Sequence, residues 1–109
     1  MTRAQAIAHA EAQFDSGEFE LMLARRLLIP TESQNPKRTK ELHQYLNDEM
    51  IPAFSALGLE TRIIRHGKAP GPFLFAQRTE DRQAVTVLGY GHGDVILGLD
   101  AAWKEGLSP

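Results

Sequence analysis

The sequence contains no cysteine among its 109 residues, and this absence removes several kinds of chemistry at once. Disulfides, cysteine-based zinc knuckles and cysteine nucleophiles are all excluded. The four histidines are the only side chains that can offer an imidazole nitrogen to a transition metal.

An excess of charge of one sign is also lacking. Twelve Lys and Arg face 14 Asp and Glu, which gives a net charge of -2 with neutral His. Binding to a phosphate backbone needs a concentrated positive face, so we expect no nucleic-acid partner. No apolar run approaches the length of a membrane span, and residues 1–13 contain no apolar signal core. We therefore expect a cytoplasmic protein with no membrane partner.

What is present has the composition of an ordinary folded domain. Hydrophobic residues make up 42% and charged residues 24%, values that argue against a disordered tail or a fibrous repeat. The length allows a single domain over residues 1–109, with a small core and little margin of stability.

Helical patterns fill the first half of the chain. The capping-box spacing of Thr2 and Gln5 predicts a short helix over residues 3–12. Asp15 is expected to cap a second helix, which runs to residue 28 before a proline ends it.

A third, longer helix is predicted to begin at Asn35, with Pro36 as its first helical residue. Apolar residues then recur at helical spacing as far as Gly58, which we expect to end the helix. Because Pro52 removes one backbone hydrogen bond, it should kink or interrupt this helix near Met50.

Strand patterns follow. Residues 59–64 and 73–78 predict two strands, and residues 85–90 are apolar at nearly every position, which is typical of a strand buried on both faces. Residues 91–109 are predicted to form an irregular loop with a helical turn near 101–105.

The fold class predicted from these helices and strands is therefore α/β with a mixed sheet, in which the first two strands are antiparallel. Three strands and two long helices leave a sheet edge and a helix face unmatched, as in the first part of something larger.

The sharpest local motif is Gly-Tyr-Gly-His-Gly-Asp-Val over residues 89–95, directly after the most apolar predicted strand. Ligand sites in open α/β sheets gather beyond the carboxyl ends of strands. His92 can offer a neutral imidazole to a metal, and Asp94 can accept from the other ring nitrogen. The alternative is a surface histidine beside an aspartate that caps a turn.

The ordered set of motifs resembles the M20 family of metallopeptidases, which includes acetylornithine deacetylases, succinyl-diaminopimelate desuccinylases and carboxypeptidase G2-like enzymes. The resemblance lies in the Gly-His-x-Asp-Val motif over residues 91–95, followed by Trp103, and in Ile-Pro-Thr-Glu-Ser over residues 29–33. The helix and strand entry over residues 42–60 agree as well. The similarity extends from about residue 14 to the end of the sequence.

This resemblance implies a partial three-layer α/β/α sandwich of zinc-peptidase type, truncated after its third strand. It implies a hydrolase that cleaves the amide bond of a peptide or an N-acyl amino acid with two metal ions, usually zinc. His92 would bind one metal, and Asp94 would orient that histidine. Trp103 would line a wall beside the substrate, or else cover the open end of the sheet. Ser33 would be a turn residue, or would end its segment near the site.

The other metal ligands, the general base and the lid or dimerisation domain of the family lie later than the last residue of this sequence. One imidazole cannot hold a catalytic zinc, which needs about three protein ligands. We therefore expect this chain by itself to be inactive, as a truncated piece or a natural remnant. The alternative is a non-catalytic module that self-associates through its unmatched strand or helix surface, or that binds a protein partner.

Overall fold

The computed structural model describes residues 1–107 and opens with two consecutive helices. Helix α1 covers Arg3–Asp15 and helix α2 covers Glu18–Leu27. The predicted capping box is confirmed, since the Thr2 hydroxyl accepts from the Gln5 N–H while the Gln5 side chain accepts from the Thr2 N–H. These two bonds satisfy backbone donors that the first turn of α1 would otherwise leave free.

The predicted start of the second helix is wrong, because Asp15 is the last residue of α1 and does not cap α2. Gly17 occupies the cap position with a φ of 80°, a left-handed conformation that glycine adopts without steric cost. The rings of Phe14 and Phe19 lie 6.2 Å apart between centroids across this turn. A glycine turn and an aromatic contact therefore set the boundary, in place of the expected carboxylate cap.

The third helical region begins as the sequence predicts and changes type along its length. The side chain of Asn35 accepts from the N–H of Lys37 at 3.1 Å, which caps the first turn. The segments, in order, are a 3-10 turn Pro36–Arg38, helix α3 Thr39–Gln44, a π-helical segment Tyr45–Met50 and helix α4 Ile51–Ala56.

The predicted interruption near Met50 takes the form of that π-helical segment. Pro52 cannot donate to the preceding turn, and a wider hydrogen-bond pattern upstream of it accommodates the missing bond. The helix ends beside Gly58, which has a φ of 75°. The N–H of Leu59 donates back to the carbonyl of Phe54 at 3.1 Å, the bond of a Schellman ending.

A buried carboxylate ties α2 to the π-helical segment. Glu49 is only 7% exposed, and its two oxygens accept from the Nε and Nη2 of Arg25, both at 2.8 Å. The Nε of Arg26 lies 3.6 Å from the same carboxylate. A forked guanidinium contact of this kind fixes geometry as well as charge, so it sets how α2 lies against the third helical region.

Two strands form an antiparallel hairpin, as the sequence predicts. Strand β1 covers Glu60–Ile64 and strand β2 covers Phe73–Gln77, with Glu60 opposite Gln77. The guanidinium of Arg62 lies 5.5 Å from the ring centre of its cross-strand partner Phe75, within the range of a cation–π contact. Helices and strands together place the chain in the α/β class.

The predicted third strand, over residues 85–90, is wrong for the part of the chain that the structure describes. No strand is assigned there, and the only sheet among residues 1–107 has two strands, so a mixed sheet is not formed. The side chains of Val85, Val87, Leu88 and Tyr90 are each about 90% exposed. A strand buried on both faces needs neighbours along its edges and a layer on each side, and no described element supplies them.

Apolar surface remains uncovered over the whole described chain. Leu42, at 8% exposed, is the one buried apolar side chain among residues 1–107. The accessible surface is 9553 Å², whereas a compact monomer of this mass exposes about 6000 Å². The radius of gyration, 17.0 Å, likewise exceeds the value of about 13 Å expected for this length. These elements therefore carry much more unburied surface than a compact domain of the same length.

The C-terminal region contains the predicted helical turn in a slightly different place. A 3-10 turn covers Asp100–Ala102, whereas the sequence indicated residues 101–105, and the rest of the described tail is irregular. The last two residues of the predicted tail, 108 and 109, lie outside the described residues. No helix in residues 1–107 combines the length and apolarity needed to cross a membrane.

Candidate functional site

Two segments that are about sixty residues apart in sequence meet beside the predicted metal-ligand motif. Glu32 and Val95 form an isolated parallel bridge, and the Val95 N–H donates to the Thr31 carbonyl at 3.0 Å. Thr31 is only 3% exposed, and its hydroxyl donates to the Gly93 carbonyl at 2.7 Å. Two bonds therefore fasten the residue between His92 and Asp94, and the residue after Asp94, to the turn that ends α2.

Glu32 holds the far end of the same loop. Its carboxylate accepts from the Gly98 N–H at 3.1 Å, from the Asn35 side chain at 3.4 Å and from Arg38 Nε at 3.4 Å. The backbone donor at Gly98 contributes most to lowering the pKa of Glu32, and Asn35 and Arg38 act in the same direction. A charged carboxylate with these three donors closes residues 93–98 into a loop that is fixed at both ends.

The aromatic ring of Tyr45 packs against Gly93, the first residue of this loop. A Cβ placed on Gly93 would lie 2.2 Å from Tyr45 Cε1 and 2.8 Å from Cζ, so the backbone at this position approaches the ring more closely than a side chain permits. Tyr45 is the first residue of the π-helical segment Tyr45–Met50. Single π-helical turns occur frequently beside functional sites, and this one places its first side chain against the predicted ligand loop.

The predicted site residues His92 and Asp94 are brought together. The Nδ1 atom of His92 lies 3.1 Å from the backbone oxygen of Asp94 and 3.4 Å from its Oδ1. Because both partners are acceptors, they favour the tautomer that carries its proton on Nδ1, and the Nε2 lone pair is then free. His92 is 69% exposed, so Nε2 is open to an external ligand.

The Asp94 carboxylate has a second partner that the sequence did not point to. The Ser33 hydroxyl donates to Asp94 Oδ2 at 2.6 Å, and this bond is the main cause of the lowered pKa of Asp94. Burial, the second-largest influence, acts in the opposite direction and raises the pKa, whereas the backbone N–H of Asp94 and the neighbouring His92 each lower it by less. The carboxylate therefore stays charged and keeps both oxygens engaged, one with Ser33 and one beside the imidazole.

The described residues contain one candidate metal ligand, His92, and not a complete metal site. No group of three or more His, Cys, Asp or Glu side chains is arranged to hold a metal ion within residues 1–107. His92 fits the part of a single ligand, since its ring is oriented through Nδ1 and its Nε2 is free. Zinc bound for catalysis needs about three protein ligands, so this arrangement by itself does not hold the ion.

Trp103, the predicted substrate wall, closes the tail of the same loop. Its indole N–H donates to the Gly98 carbonyl at 2.6 Å, and the residue is 51% exposed. Since Gly98 also donates to Glu32, both polar groups of its backbone are satisfied by side chains. The indole thus helps to fix the loop 93–98, which directly follows His92.

The contacts of Thr31, Glu32 and Tyr45 with the loop were not predicted, and Ser33 was expected only as a turn residue or segment end. Residues 31–33 form a polar run soon after a helix, which indicates a turn, but no local pattern pairs them with residues 93–98.

Comparison of this chain with protein-family models, with curated proteins and with solved structures finds no match.

Proposed function

We propose that this chain is the N-terminal part of the catalytic domain of an M20-like, metal-dependent hydrolase of peptide or N-acyl amino-acid amide bonds. One observation carries the proposal. His92 has its Nδ1 atom directed at Asp94 and its Nε2 free, on a loop held by the Ile-Pro-Thr-Glu-Ser turn. The two motifs of the resemblance therefore meet around one exposed imidazole, although they are far apart in sequence.

In this proposal His92 supplies one ligand of a site for two metal ions, usually zinc. Metal ions bound there would polarise the scissile carbonyl and lower the pKa of a bound water. Within the chain described here, Asp94 orients the imidazole, and Trp103 is proposed as part of the substrate wall. The remaining ligands and the general base must come from outside residues 1–107, so we do not expect these residues alone to hydrolyse a substrate.

The finer architecture belongs to the same proposal. A partial three-layer sandwich would cover the hairpin of Glu60–Ile64 and Phe73–Gln77 with further layers, and the large exposed surface supports such a covering. A cytoplasmic location is likewise proposed on the grounds given by the sequence.

The test uses the native gene product, assayed on a panel of N-acyl amino acids and dipeptides with and without a metal chelator. We expect hydrolysis that depends on a divalent metal, and we expect His92→Ala to abolish it. His66→Ala is the matched control, because His66 is an exposed loop histidine outside the site. Unchanged turnover in His92→Ala, or turnover that the chelator does not affect, would contradict the proposal.

A second candidate function, a non-catalytic module that self-associates, is favoured by a different observation. Residues 85–90 are apolar and largely exposed, and the chain exposes roughly 3500 Å² more than a compact monomer, which exceeds the share of each partner in an ordinary interface. A second copy of the chain would cover part of this surface. Sedimentation velocity over a range of concentrations should then show a dimer or larger species, which Val87→Lys should weaken. A mass of one chain at every concentration would reject this candidate.

A further inference from the structure

The Ser33 hydroxyl begins a chain of contacts that runs through Asp94 to His92. It donates to Asp94 Oδ2 at 2.6 Å, while the other carboxylate oxygen of Asp94 lies 3.4 Å from His92 Nδ1. Asp94 is 44% exposed, so water competes for its oxygens, and its carboxylate would be free to rotate without a fixed partner. The bond from Ser33 thus selects one orientation of the carboxylate.

Ser33 is itself held in place by its neighbours. Thr31 is buried and bonded to Gly93, and Glu32 pairs with Val95 in the parallel bridge. These attachments use the two residues that precede Ser33 and the two residues that flank Asp94, so they set the register of the turn against the loop at the Ser33–Asp94 bond. A hydroxyl placed by two adjoining attachments can orient a carboxylate with little further loss of conformational entropy.

We propose that Ser33 is a positioning residue, whose hydroxyl fixes the Asp94 carboxylate so that His92 keeps its proton on Nδ1 and presents Nε2 to a metal ion. The part of this inference that concerns the metal rests on the proposed function; the tautomer of His92 does not. Ser33 is not a nucleophile in this arrangement, because its hydroxyl proton is directed at Asp94 and not at a histidine base.

The test reads the tautomer directly. The complete chain, labelled with ¹⁵N, is studied by long-range ¹H–¹⁵N correlation NMR at about pH 8, where an ordinary histidine is neutral. We expect His92 to be mainly in the Nδ1–H form. His66 is an internal reference with the opposite expectation, because its Nδ1 accepts from the Lys68 N–H at 3.3 Å and its proton must then lie on Nε2.

Three variants separate positioning from general loosening of the loop. Ser33→Ala should move His92 toward the tautomer mixture of an unconstrained ring, and Ser33→Thr, which keeps the hydroxyl, should restore the Nδ1–H form. Ser55→Ala, an exposed position on α4, should leave the tautomer unchanged. Hydrogen exchange of the Val95 N–H, which is bonded to Thr31, reports whether the loop stays attached.

The outcomes are distinct. A shifted His92 tautomer in Ser33→Ala, with Val95 still protected, supports positioning by the hydroxyl. An unchanged tautomer overturns the inference and would mean that Asp94 holds the ring without the Ser33 hydroxyl. Equal loss of tautomer preference and of Val95 protection also overturns it, because Ser33 would then only dock the loop. An unprotected Val95 N–H in the unsubstituted chain overturns it as well.

Failure of this inference is distinguishable from failure of the proposed function. If hydrolysis by the native gene product does not need His92, the proposed function fails even where Ser33→Ala shifts the tautomer. If hydrolysis needs both metal and His92 while the His92 tautomer is unchanged in Ser33→Ala, the proposed function stands and the positioning role of Ser33 is withdrawn. Zn²⁺ titration of the native gene product and its Ser33→Ala variant adds a binding readout, for which we expect at least tenfold weaker affinity in the variant.

Discussion

Substitution of Gly93 by alanine tests the contact between the His92 loop and Tyr45 most directly. The new methyl carbon would lie 2.2 Å from Tyr45 Cε1, where ordinary contact begins near 3.4 Å, so the loop or the ring must move by more than 1 Å. Gly93 does not have a positive φ, so alanine introduces no backbone strain of its own. The expected effect therefore arises from the clash alone.

The size of the effect follows from two contributions. Overpacking of this kind costs about 1–3 kcal/mol. Displacement of the loop also stretches the bond from the Thr31 hydroxyl to the Gly93 carbonyl, now 2.7 Å, and a lost hydrogen bond costs about 0.5–1.5 kcal/mol. Replacement of glycine by alanine returns about 0.4–1 kcal/mol through the unfolded state. We expect the loop to be destabilised by about 2 kcal/mol.

Native-state hydrogen exchange of the Val95 N–H is the suitable assay, because this N–H donates to Thr31 across the junction between loop and turn. A loss of about 2 kcal/mol corresponds to exchange roughly thirtyfold faster. Gly91→Ala is the matched control, since a methyl group at that position meets nothing within 4 Å. Tyr45→Ala combined with Gly93→Ala should restore most of the protection, because the ring that clashes is gone.

Two results would refute this reasoning. If Gly93→Ala and Gly91→Ala exchange at the same rate, Tyr45 does not press on the loop. If the double variant exchanges as fast as Gly93→Ala alone, the loss of loop stability comes from something other than the ring. The contact between the π-helical segment and the loop would then contribute nothing to the stability of the loop.

Three further predictions concern other parts of the chain. Gly58→Ala should destabilise the third helical region by about 1 kcal/mol in urea unfolding, because its φ is 75°, whereas Gly67→Ala, without a positive φ or a contact, should not. Glu49→Gln should reduce the free energy of unfolding by about 1–3 kcal/mol, since it leaves a guanidinium fork without its charged partner, and a loss under 0.5 kcal/mol would contradict this. The lowered pKa of Glu32 stabilises the fold above about pH 4.3, its unfolded value, and this stabilisation is lost as the pH falls through the lower folded value. The amide shift of Gly98 should follow that acid transition, and Glu32→Gln should remove it.

Local patterns in the sequence determined most of the helices and the hairpin. The capping box at Thr2, the Asn35 cap, the interruption before Pro52 and the ending at Gly58 depend on interactions within a few residues, so they can be predicted without a tertiary structure. The one wrong cap, Asp15, fell where Gly17 offered a left-handed turn that competes with the carboxylate. Local competition of this kind is difficult to decide from residue types alone.

The apolar segment 85–90 shows the opposite case. Its composition predicts a buried strand, but burial depends on whether other elements lie beside it, and within residues 1–107 none does. The apolar pattern indicates that this segment can form a buried strand when other elements pack against it. Whether it is covered is a property of the tertiary or quaternary arrangement.

The same distinction between local and long-range contacts applies to the candidate site. His92 and Asp94 were predicted from the sequence because they are two residues apart, and a contact between their side chains is local. Ser33, Thr31, Glu32 and the ring of Tyr45 reach the same loop from positions roughly fifty to sixty residues earlier, and only the tertiary structure brings them there. Hydrogen bonds between distant segments depend on how the chain closes its long loops, and no short sequence pattern records that closure.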